Sequence, residues 1–266
     1  MNPNVEFIDG EPLDAGEIGN FLHQLGGSWN QLAVIPSVDS TNSELGRNLS
    51  AVQPGSAQLL TAEEQTGGIG RLGRTWSSAH GKGIALSIAV ATSDVLAEST
   101  ALPLVVGLAV NKALNAVGVT ANLKWPNDII FENADGSVRK CGGILVQQVE
   151  HAYVIGIGLN VTHNDHELPT QVATSLKLEG FEISRNELIA QIINQVEAAL
   201  LQSIDWTREY LAICASIGRD VVVHQLTGEQ LVGRAISISP SGALVLATED
   251  AQVEVTIGDV EHATIS

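Results

Sequence analysis

A chain of 266 residues with 44% hydrophobic and 16% charged side chains has ample material for a buried core, which excludes general disorder. Thirteen Lys and Arg against thirty Asp and Glu give a net charge of −17, which repels a nucleic-acid backbone, and no apolar run is long and clean enough to cross a bilayer. The N-terminal stretch lacks the basic and apolar pattern of a secretory signal, and the two cysteines, Cys141 and Cys214, form neither a disulfide framework nor a metal spacing. These features predict a cytoplasmic protein without nucleic-acid or membrane partners.

In chain order, residues 13–25 predict a short helix and 29–38 a strand that runs into the loop Asp39-Ser40-Thr41-Asn42. Ser40 or Thr41 suits the cap of a helix in the segment SELGRNLSAV, a reading as good as any ligand role for these hydroxyls. The stretches AQLLTAEE and IALSIAVA read as strands, leaving residues 65–83 as a connection far longer than the usual ~4–6 residues. Residues 101–117 space their apolar side chains as an amphipathic helix against the core. LKWPNDIIF, RKCGGILVQQV and AYVIGIGLNV follow as consecutive paired strands punctuated by Pro126 and an NADGS turn. Ser184 with Glu187 opens a further helix by a capping-box pattern, and another is expected near 206–216. Beyond Ile217 short alternating runs separated by TGE, PSG and ED predict a small β barrel. The expected class is α+β, with a large domain at 1–217 and a β domain at 218–266.

The 65–83 connection contains Gly68-Ile69-Gly70-Arg71-Leu72-Gly73, a formal GxGxxG. A dinucleotide site needs a helix to open at those glycines, whereas this sequence continues as loop, so the match is rejected. Glycines that let backbone amides approach an anion, with Arg71 and Arg74 as charged donors and Trp76 as a flat surface, suit a ligand loop; a mobile surface loop is the plainer alternative. Lys124-Trp125-Pro126-Asn127-Asp128 sets a cation, an amide and a carboxylate within five positions. Asp128 is a candidate to hold Mg²⁺ near a nucleotide, and a strand-end turn with a local ion pair is the rival reading. Lys140 precedes Gly142-Gly143, and Asn160 follows Gly156 and Gly158; glycines in strands mark close approach of a ligand or another backbone.

Taken together, Ser40-Thr41-Asn42, Gln65 through Trp76, Lys124 through Asp128, Lys140 through Val146 and Gly156 through Val161 resemble the biotin–protein ligase family over about 130 residues. The β tail is similar to that family's SH3-like C-terminal domain. The resemblance implies a class II synthetase-like catalytic domain with a mixed sheet and helices. It also implies an ATP-dependent reaction that makes biotinyl-AMP and passes biotin to a lysine of a biotin carboxyl carrier domain, with Mg²⁺ accompanying ATP. Carried over by motif, Ser40, Thr41, Asn42, Gln65, Gly68, Ile69, Gly70, Arg71, Lys140 and Gly143 would surround biotin. Arg71, Arg74, Trp76, Lys124, Asn127, Asp128, Lys140 and Asn160 would meet the nucleotide, with Arg71 and Lys140 carrying the chemistry. Ile69 departs from the arginine often found there. Lipoate–protein ligase is the neighbouring alternative; a biotin-sensing regulator would need an N-terminal DNA-binding domain, for which the segment before Ser40 is too short.

Overall fold

The computed structural model describes residues 11–29, 31–49, 52–202 and 205–262. The expected absence of a leader, which rests partly on the first ten residues, falls outside them, as do the last four residues of the expected β domain and positions 30, 50, 51 and 203 of three expected elements. Helix α1 (Ala15–Leu25) is capped by Asp14, whose side chain accepts from the Glu17 amide, and ends at Gly26 with φ of 76°. Strand β1 (Leu32–Ile35) leads to α2 (Thr41–Arg47), which starts earlier than its expected 43–52 span because Ser40 is the cap, and ends at Arg47 with Asn48 as its C-cap. Next come β2 (Ala57–Ala62), β3 (Gln65–Ile69), β4 (Thr75–Ser78) and β5 (Gly83–Ala91). The stretch expected as one long loop is therefore mostly a hairpin: β3 and β4 pair antiparallel, joined by a single tight turn at Arg71–Gly73. No α-helix opens at the glycines, which upholds rejection of the dinucleotide reading.

Helix α3 (Leu102–Ala116) departs from the amphipathic expectation, since eleven of its fifteen residues are buried. It is packed against strands on one side and against α4 (Arg185–Leu201) and α5 (Trp206–Ile213) on others, so few of its positions meet water. Strands β6 (Asn122–Lys124), β7 (Asp128–Glu132), β8 (Val138–Val149) and β9 (Ala152–Asn160) complete a seven-stranded sheet in the order β1-β2-β5-β9-β8-β7-β6. Only β1 and β2 run parallel; every other neighbour is antiparallel. Alternation along the strands sends Leu59, Ile88 and Ile155 into the main core under α1, α3 and α4, and Leu60, Ala89 and Val154 into a smaller cluster under α2.

A buried ion pair fastens the N-terminal segment to this frame. Arg185, 4% exposed, lies 2.9 Å from Glu63 and 3.2 Å from the Gly83 carbonyl, while Glu63 also accepts from the Leu13 amide. Strands β10 (Asp220–His224), β11 (Gln230–Ile238), β12 (Leu244–Ala247), β13 (Gln252–Val255) and β14 (Asp259–His262) form an antiparallel sheet in the order β13-β12-β11-β10-β14. It meets the larger sheet through the buried Trp125, whose indole N–H donates to the Gly242 carbonyl at 3.0 Å, and through Arg219, which pairs with Glu132 and donates to the Gly136 carbonyl.

Candidate functional site

The face of the large sheet that carries α2 is lined by small residues at its middle, Ala85, Ser87, Gly143, Gly156 and Gly158. Strand register sets Ala85, Gly158, Gly143, Asp128 and Lys124 in one cross-sheet row, and Ser87, Gly156 and Leu145 in the next. The missing side chains leave a cavity of about 290 Å³, roofed by the β3–β4 hairpin and bounded by residues 169–173 and by Asp259 and Val260 of the second sheet.

One end is polar and nearly neutral. Gln65 Oε1 accepts from the Thr41 amide at 2.9 Å and lies 3.0 Å from the Thr41 hydroxyl. Ser87 Oγ stands 2.7 Å from Thr41 Oγ1 and 2.6 Å from Asn42 Oδ1, and the Asn42 amide donates to Gln147 Oε1 at 3.0 Å. Gly156 makes this possible: a Cβ there would lie 2.9 Å from Asn42 Cγ and 3.0 Å from its Nδ2. Ser40 does cap α2, accepting from the Ser43 amide, and it also lines the cavity.

The other end is charged. Lys124 faces Asp128 across the β6–β7 turn, which makes the pair cross-strand neighbours. Lys140 Nζ lies 2.5 Å from Asp128 Oδ1 and 5.8 Å from the centre of the Trp76 ring. A bulge places Cys141 as the extra residue of β8, buried in the core, and Lys140 is bracketed by hydrogen bonds to the 172–174 segment. Burial lowers the affinity of Lys124 for its proton, opposed by the nearby Asp128 carboxylate. Arg71 is likewise pushed down by desolvation. Its guanidinium donates to Asn127 Oδ1 at 3.3 Å and to the Gly258 carbonyl at 3.4 Å, and it lies 3.6 Å from Asp259, which also pairs with Arg74. The Trp76 indole rests on Gly158, where a Cβ would come within 2.5 Å of the ring. Asn160 donates its side-chain amide to the Thr174 carbonyl at 3.0 Å and lines the cavity.

Fifteen of the sixteen residues singled out from sequence line this one cavity; Gly68 does not. A Cβ on Gly68 would collide with the Trp76 carbonyl and come within 2.8 Å of Gln65 Nε2, so that glycine serves the closeness of the hairpin strands. Asn127 sits in the wall but commits its amide to the Ile144 carbonyl, which braces the turn. Asp259, Val260 and the 169–173 wall also border the cavity but lie outside the residues expected from sequence, because their local sequences carry no ligand-like pattern. Ser87 is likewise outside them, although a lone hydroxyl in a strand of nine buried residues is a signal.

Comparison with known proteins agrees with this geometry. Residues 34–164 match the biotin/lipoate A/B protein ligase family, and residues 216–263 match the biotin protein ligase C-terminal domain. The chain is 31% identical over 260 residues to the biotin–[acetyl-CoA-carboxylase] ligase of Mycobacterium tuberculosis, spanning 94% of this chain and 96% of that protein. It is 32% identical over 198 residues to the bifunctional ligase/repressor BirA of Escherichia coli, spanning 71% of this chain and 59% of that protein. Among solved structures, the biotin protein ligase of Aquifex aeolicus in complex with biotin and ATP superposes with a TM-score of 0.75 at 26% identity, covering 88% of this chain and 100% of the other.

Proposed function

The chain belongs to the biotin/lipoate A/B protein ligase family, and from that premise we propose that it activates biotin with ATP and transfers it to a lysine of a biotin carboxyl carrier domain. The observation that carries the reading is the polarity of the cavity, with hydrogen-bonding side chains at one end and Arg71, Lys124 and Lys140 at the other. A cyclic urea presents one carbonyl and two N–H groups. The Ser40 hydroxyl and the Gln65 amide nitrogen suit the carbonyl, and Asn42 Oδ1 and Thr41 Oγ1 suit the N–H groups.

The bound acid then reaches toward the cations with its carboxylate, which is already the nucleophile. It attacks the α-phosphorus of ATP, and pyrophosphate leaves. No Ser or Cys nucleophile is required; the protein aligns two anions and stabilises the charge that builds between them. Lys140 and Arg71 suit that role, Trp76 offers its ring to adenine, and Asn160 Oδ1 suits the exocyclic amine. In the second step the carrier lysine attacks the acyl carbon and AMP departs.

Mg²⁺ fits this site only together with the nucleotide. Among the described residues no three His, Cys, Asp or Glu gather as a metal cluster, and Asp128 is a lone carboxylate beside Lys140. Mg²⁺ is commonly held by one or two carboxylates plus substrate phosphates, so Asp128 is the residue that would help hold it, where it would neutralise phosphate charge. The division into a catalytic domain at 1–217 and a β domain at 218–266 belongs to the same proposal. Side-by-side pyrophosphate exchange with biotin and with lipoate tests it: exchange should depend on biotin, and exchange driven by lipoate alone would overturn it.

A further inference from the structure

Strand β8 begins beyond the end of β9, and residues 172–174 take the vacant edge at Lys140 as a single parallel bridge. The Lys140 amide donates to the Val172 carbonyl at 2.7 Å, and the Lys140 carbonyl accepts from the Thr174 amide at 2.8 Å. The Thr174 carbonyl in turn accepts from the Asn160 side chain at 3.0 Å. Two residues that line the charged end of the cavity therefore lean on one short segment. Leu176 and Lys177 fasten the chain after Thr174 to Asn160 and Val161, but residues 169–173 come before that anchor, and Val172 is exposed to water that competes for its bonds. Glu179 supplies a further tie. Its Oε1 accepts from the Thr174 hydroxyl at 2.6 Å and forms an ion pair with the Arg139 guanidinium at 2.8 Å. Arg139 is the β8 residue next to Lys140, so the segment grips two successive residues of that strand, one through its main chain and one through its side chain. Thr174 is fully buried and the Glu179 side chain is 12% exposed, so the tie is sheltered from water.

We propose that Glu179 is a positioning residue for the nucleotide end of the cavity: by tying Thr174 to Arg139 it fixes the segment that brackets Lys140 and holds Asn160. This rests on the biotin-ligase reading, which it deepens. Glu179, Thr174 and Arg139 do not line the cavity, so their effect on a ligand passes through Lys140, Asn160 and the 169–173 wall. The polar end is carried by α2 and Gln65, which this tie does not touch. Loss of the tie therefore acts on ATP and spares the recognition of biotin.

The test is biotin-dependent pyrophosphate exchange by the full chain and by Glu179→Ala, Thr174→Val and the double variant. In each single variant kcat/KM for ATP should fall about tenfold while the KM for biotin stays within about twofold. The double variant should be no worse than Glu179→Ala, because both substitutions break the same tie. Glu179→Gln keeps an oxygen for the Thr174 hydroxyl and gives up the charge that pairs with Arg139, so it should fall between the unmodified chain and Glu179→Ala. Thr174→Val and Glu179→Gln carry the test if Glu179→Ala does not fold. The inference is overturned by an unchanged kcat/KM for ATP, by a KM for biotin that rises as much as that for ATP, or by losses that multiply in the double variant. Absence of biotin-dependent exchange in the unmodified chain would instead overturn the ligase reading.

Discussion

Replacing Gly158 by alanine drives a methyl group into space that the Trp76 indole fills. The added carbon would lie 2.5, 2.6 and 2.8 Å from Cε2, Nε1 and Cζ2 of the ring, whereas ordinary contact begins near 3.4 Å. The ring must retreat by about 1 Å. Overpacking of a rigid core typically costs about 1–3 kcal/mol, but Trp76 stands on the roofing hairpin, which gives more readily than the sheet. Loss of glycine's freedom in the unfolded chain offsets part of the cost, by about 0.4–1 kcal/mol. Stability should therefore change by less than about 1 kcal/mol, while the ring proposed to stack on adenine shifts and the KM for ATP rises about tenfold, equivalent to ~1.4 kcal/mol of binding. Gly142→Ala is the control. Its methyl would meet the Gly158 carbonyl at 2.7 Å and Ile129 at 3.3 Å, all within the sheet, so it should lower Tm strongly. Pyrophosphate exchange against ATP concentration, with thermal unfolding of both variants, reads the contrast. An unchanged KM for ATP in Gly158→Ala, or a Tm loss equal to that of Gly142→Ala, would show that the Trp76 ring does not yield in this way.

Three further outcomes follow from the same geometry. Arg71→Gly removes a guanidinium braced by Asn127 and Gly258 at the cavity wall, and should speed dissociation of the adenylate with most of the fold retained; unchanged dissociation contradicts it. Glu63→Ala strands Arg185 in the core and should cost about 3–5 kcal/mol in denaturant unfolding, whereas a loss under about 1 kcal/mol would show that the buried pair is not needed. Burial, with the charges of Lys124 and Arg219 nearby, depresses His262 from 6.5 to about 4. The unfolded chain takes up that proton first, so this contribution to stability is lost as pH falls from about 6.5 to about 4 and changes little outside that window. Partial solvent access reduces the effect to on the order of 1–2 kcal/mol. His262→Gln should flatten the drop in Tm between pH 7 and pH 5, and an identical drop would contradict the assignment.

Much of the cavity was legible because its chemistry is local in sequence. Lys124 and Asp128 flank one tight turn, Lys140 precedes two glycines of one strand, and Ser40 through Asn42 form the first residues of one helix. Hidden features arise where distant segments meet. Asp259 looks like any turn aspartate until the second sheet brings it to Arg71 and Arg74. The hairpin at 65–78 escaped a periodicity reading because its glycines carry no side chains to alternate and its first strand bulges between Gln65 and Gly68. Helix α3 read as amphipathic since apolar spacing reveals the face that meets the sheet, while Leu104, Gly107 and Leu108 are covered only because other elements wrap its remaining sides.

In the proposed reaction a single cavity serves both activation and transfer. The protein is incubated with biotin and ATP, freed of small molecules by rapid desalting, and mixed with a biotin carboxyl carrier domain in the absence of ATP. Mass spectrometry of the carrier should show one biotinyl group gained per adenylate retained, with Lys140→Ala giving none. A carrier left unmodified, although the unmodified enzyme retains biotinyl-AMP, would show that transfer does not take place from this cavity.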